Sequence, residues 1–61
     1  MNSDEFLKII NEQSMDYARG CVYDSDNHKD AVLAIASDYF LGACDAYKLL
    51  TGVDINPQII D

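Results

Sequence analysis

The sequence predicts an all-α fold: an antiparallel two-helix hairpin with a short extended C-terminal tail, dimerising into a four-helix bundle. Three observations carry this expectation. Two long segments space their apolar residues as helices do, and the polar stretch 24–27 separates them. The second segment is apolar around more of its circumference than one partner helix covers.

The first helix is expected over residues 3–23. Asn2 or Ser3 accepts a hydrogen bond from the first free N–H groups, and Asp4 and Glu5 follow where the helix dipole favours negative charge. At 100° per residue, Ile9, Phe6, Tyr17, Ile10, Cys21, Leu7 and Ala18 share one half of the wheel. Asp4, Lys8, Arg19, Glu12, Glu5 and Asp16 share the other.

The stretch DSDNHKD, residues 24–30, invites a metal-site reading that its spacing rejects. Measured against a calcium loop, Asp24 and Asp26 fit, but His28 is a poor ligand for a hard cation. Lys29 stands where the turn needs glycine, and Ile35 where a bidentate glutamate belongs. A transition metal wants several imidazoles or thiolates, and the chain has a single histidine. These residues read instead as a turn, with Asp26 or Asn27 capping the next helix and Asp30 in its first turn. No metal and no cofactor is expected.

The second helix is expected over residues 28–50, with Gly52 ending it. Val32, Ile35, Ala36, Tyr39, Ala43, Ala46 and Leu50 form one apolar face, and Leu33, Phe40, Cys44 and Tyr47 form another beside it. If the turn centres on Ser25 and Asp26, residues whose numbers sum to about 52 face each other. Phe6 then meets Ala46, Ile10 meets Gly42 and Ala43, Tyr17 meets Ile35, and Lys8 pairs with Asp45. Cys21 and Cys44 fall about 20 Å apart, beyond disulfide reach.

In this register Leu33, Phe40, Cys44 and Tyr47 are left over and await a cover. Residues 51–61 read as an extended tail, because Pro57 disfavours helix before it and the aliphatics are costly to leave in water. Val53, Ile55 and Ile59 are its candidate contacts. Together with the leftover face they make the expected oligomerisation surface.

Composition narrows function. Net charge is −7, which disfavours direct binding to nucleic acid or an anionic membrane. There is no basic-then-apolar leader and no apolar run of spanning length, so a cytoplasmic protein with reduced thiols is expected. His28 has no nucleophile beside it and a hairpin has no deep pocket, so no enzyme is expected.

The expected function is a non-catalytic interaction protein, a regulator, inhibitor or assembly factor of the size and style that phages encode. Its partners would be a second copy of itself and another protein. One alternative is an acidic mimic of nucleic acid acting through Asp30, Asp38 and Asp45. Its charge is sparse for that, one per ~5 Å against one per ~1.7 Å of duplex. The other is an oligomeric sponge for a nucleotide-like ligand, with Tyr17, Tyr39 or Tyr47 stacking on a base and Arg19, Lys29 or Lys48 meeting a phosphate.

Overall fold

The computed structural model describes residues 2–55. Helix α1 runs over Ser3–Cys21, a single 3-10 turn over Ser25–Asn27, and helix α2 over Lys29–Thr51. The two helices pack against each other as a hairpin, and the described residues contain no strand. The expected ends were off by two residues for α1 and by one at each end of α2.

Local chemistry sets most of these ends. Asn2 is the N-cap of α1, its side-chain oxygen accepting the Glu5 N–H at 2.9 Å. Gly52 closes α2 at φ 75°, where its N–H donates to the Lys48 carbonyl at 2.7 Å. Asp24 turns the chain at φ 54°, a left-handed conformation that aspartate tolerates better than most residues. Its carboxylate accepts the Asn27 amide at 2.9 Å, and its carbonyl lies 3.0 Å from His28 Nδ1. The expected capping of α2 by Asp26 or Asn27 does not occur. Both lie in the 3-10 turn, the N-cap is His28, and no side chain caps it.

Packing depends on small residues. Ser14, Ala18 and Ala36 are each fully buried, which lets the backbones approach closely. Ser14 keeps its hydroxyl satisfied by donating to the Ile10 carbonyl at 2.6 Å. Met15, Ala18, Val32 and Ala36 form a core near the turn, edged by Val22, Leu33 and Ile35. Phe40, Cys44 and Ile55 form a second core toward the open end, edged by Phe6, Leu7, Ile10 and Tyr47.

This arrangement corrects the expected leftover face. Phe40 is 2% exposed and Cys44 5%, while Leu33 and Tyr47 are half-buried against the same seam. The stripe assigned to an outside partner is consumed by α1 and by the chain's own tail. On α1 the buried line is also rotated: Ser14 and Met15 are inside, whereas Ile9, Tyr17 and Cys21 are exposed. Both shifts have one cause. Each helix is apolar over a wide arc, and the small residues decided which line within it comes closest.

The register is close to the expected one. Phe6 stacks on Tyr47 with ring centroids 4.3 Å apart, one residue beyond Ala46. Tyr17 stacks on Tyr39 at 4.9 Å, one turn beyond Ile35. Long helical side chains lean toward their own N-terminus, so the two tyrosines lean toward one another. The Lys8–Asp45 pair does not form; the ion pairs among the described residues are Arg19–Asp16 and Lys48–Asp54.

The first residues of the tail fold back onto the helices. Thr51 Oγ1 donates to the Tyr47 carbonyl and accepts the Val53 N–H, and Lys48 reaches Asp54 at 3.6 Å. Ile55, 7% exposed, then seats on Phe40 and Cys44, while Val53 stays 42% exposed. Ile59 lies outside the described residues.

Two outcomes test this packing. Ile55→Ala should lower unfolding free energy by about 2 kcal/mol in urea melts and speed modification of the Cys44 thiol. Ala18→Leu should cost about 1–3 kcal/mol by forcing the helices apart.

Candidate interaction face

With the seam closed, each helix keeps an unused part of its apolar arc. On α1 this part carries Ile9, Tyr17 and Cys21, and on α2 it carries Tyr39, Ala46 and Leu50, with Phe6 and Ile35 half-buried at its border with the core. The Tyr17–Tyr39 ring contact places both parts on the same flank of the hairpin. Ile9 is 39% exposed, Tyr17 52%, Tyr39 38% and Leu50 86%. Gly42 lies on this flank too, and a methyl group added there would meet open space.

Charge edges the flank. Asp38 and Asp45 are exposed and two turns apart, so they stand on one line of α2. On α1 the outer edge has Asp16, which holds Arg19 at 3.5 Å. Asp30 is also exposed, but it lies at the turn end and about 60–80° around α2 from the other two. The three acidic residues therefore do not form one row.

The thiols and tyrosines have distinct environments. The Tyr17 hydroxyl is held above its ordinary range, first by a hydrogen bond with the Cys21 thiol and then by that group's charge. Partial burial and Tyr39 add to the effect. Cys44 is also raised, by burial first and by Asp45 second. Both cysteines are free thiols, Cys21 exposed and Cys44 buried.

The residues expected to recognise a nucleotide are not gathered. Tyr17 and Tyr39 stack on each other, Tyr47 stacks on Phe6, and Arg19 lies across α1 from Tyr17. Among the described residues, no three His, Cys, Asp or Glu side chains come together closely enough to hold a metal ion. No described helix is long and apolar enough to cross a membrane. Compared with family models, characterised proteins and solved structures, the chain matches none.

Sequence reasoning missed the flank as a site because it placed Tyr17, Tyr39 and Ile9 in the core. One signal for the true seam was available. Ser14 and Ala18 are one turn apart and too small to fill a core alone, which marks a close backbone approach.

Alkaline titration checks the site. The folded chain holds the Cys44 and Tyr17 protons more tightly than the unfolded chain, so stability should fall as pH rises past the ordinary values of 9.0 and 10.0. Cys21→Ala should move the Tyr17 absorbance titration back toward its ordinary range. A thiol reagent should modify Cys21 well before Cys44.

Proposed function

We propose that this is a non-catalytic interaction protein working through its exposed apolar flank, and that two copies pair flank to flank as a four-helix bundle. The observation that carries this reading is the flank itself: Ile9, Tyr17, Tyr39 and Leu50 stay exposed after the hairpin core is complete. A solitary hairpin is one helix pair thick, and small chains commonly complete their core by pairing.

Size and charge are both compatible with a second copy. The molecule measures 38 × 16 × 15 Å, so one side offers about 600 Å² and a pair would bury about 1,200 Å². That is the lower edge of stable, specific interfaces. Pairing would bring the Asp38 and Asp45 lines of two copies nearer. At about 10 Å in water each such pair costs about 0.4 kcal/mol, and salt screens it. Burying one large side chain contributes about 1.5–3 kcal/mol, so apolar burial wins. In this reading the acidic exterior of the bundle is what a regulated or inhibited protein meets.

Light scattering across a dilution series tests the pairing. The wild-type chain should run at twice the chain mass, more persistently as salt rises. Tyr39→Asp and Ile9→Asp, both at exposed positions, should give monomers that keep their helical circular dichroism. A wild-type monomer at every concentration, or a Tyr39→Asp dimer, overturns the reading. Gly42→Ala should stabilise an isolated hairpin by about 1 kcal/mol through helix propensity. In the bundle it should also weaken pairing, because the methyl group enters the interface.

A further inference from the structure

A separate feature lies at the turn end, on the side away from the tyrosines. Arg19 follows Tyr17 by two residues and so points about 160° away from it around α1. There the two helices and the 3-10 turn border a half-open cavity of about 220 Å³. Met15, Val32 and Leu33 supply its apolar wall, Arg19, Lys29 and Asp26 its charges, and Ser25 completes the lining.

The charges are unusual in this chain. Its net charge is −7 with four basic residues, yet two of those four line this one cavity. Among the described residues, the Lys29 ammonium and the Asp26 carboxylate have no side-chain partner, and Arg19 has only a 3.5 Å contact with exposed Asp16. Two cationic residues, one carboxylate and an apolar wall thus border one space, with all three charged residues exposed to solvent and free to turn toward a ligand.

We propose that this cavity binds a small apolar zwitterion, a free α-amino acid with a branched or aromatic side chain. Its carboxylate would accept charge-assisted hydrogen bonds from Arg19 and Lys29, and its ammonium would face Asp26. The side chain would lie on Met15, Val32 and Leu33. Net charge separates this from the simpler choices. A plain anion is repelled by the field of the whole molecule, and a plain cation leaves Arg19 and Lys29 facing it. Volume sets the size: the space is about seven waters' worth, below the ~300 Å³ at which drug-sized ligand sites begin. A nucleotide does not fit. With so few contacts the expected Kd is about 1 mM.

The test is titration of the isotope-labelled chain, followed by backbone amide shifts, with three probes sharing one branched body. These are leucine, isocaproate (carboxylate only) and isoamylamine (ammonium only). Leucine should give saturable shifts centred on Met15, Ser25 and Leu33, with the other two at least about tenfold weaker. Arg19→Gln and Lys29→Gln alter exposed positions, so the fold should persist by circular dichroism while leucine binding weakens about fivefold or more. Shifts that stay linear in leucine concentration overturn the proposal. So does isocaproate binding as tightly as leucine, or unchanged affinity in both variants.

Discussion

The close approach of α1 and α2 along Ser14, Ala18 and Ala36 is the constraint on which the rest depends. None of the three exposes any surface, and none has a side chain long enough to hold the helices apart. Once the backbones meet there, the flanking large residues have fixed places. Met15 and Val32 close the turn end, and Phe40 fills the core toward the open end. The buried hydroxyl of Ser14 adds no unsatisfied group, because it bonds back to its own helix.

That contact line also explains why the hairpin has unlike sides. It lies near one edge of the α1 apolar arc, so the remainder of the arc turns outward as the tyrosine flank. The first residues of the tail meet the open end of the hairpin. Ile55 covers Phe40 and Cys44 there, held in place by Thr51 and the Lys48–Asp54 pair. An exposed ion pair contributes little by itself, so among the described tail residues the buried isoleucine carries most of the attachment.

Function is proposed on surfaces rather than on a reactive centre. The flank is apolar and exposed, and the acidic residues Asp30, Asp38 and Asp45 do not form one row. The cavity near the turn is a different kind of feature, with polar groups of both signs around an apolar wall. The two lie on opposite sides of α1, so pairing through the flank leaves the cavity open.

Local order was legible in the sequence, and orientation was not. Asn2 and Gly52 mark helix ends through hydrogen bonds and backbone sterics confined to one turn, and no distant residue changes that. The helical type of both segments and the hairpin connection followed from periodicity and a short polar turn. The faces did not follow, because apolar arcs wider than one contact stripe allow several rotations of nearly equal hydrophobicity. Periodicity alone places Tyr17 and Tyr39 in the core and leaves Phe40 and Cys44 for a second subunit or another protein, for that reason. The sequence by itself determined that two amphipathic helices would fold against each other. Which line of each helix faced inward was decided only in three dimensions, where the small volumes of Ser14, Ala18 and Ala36 allowed the closest packing.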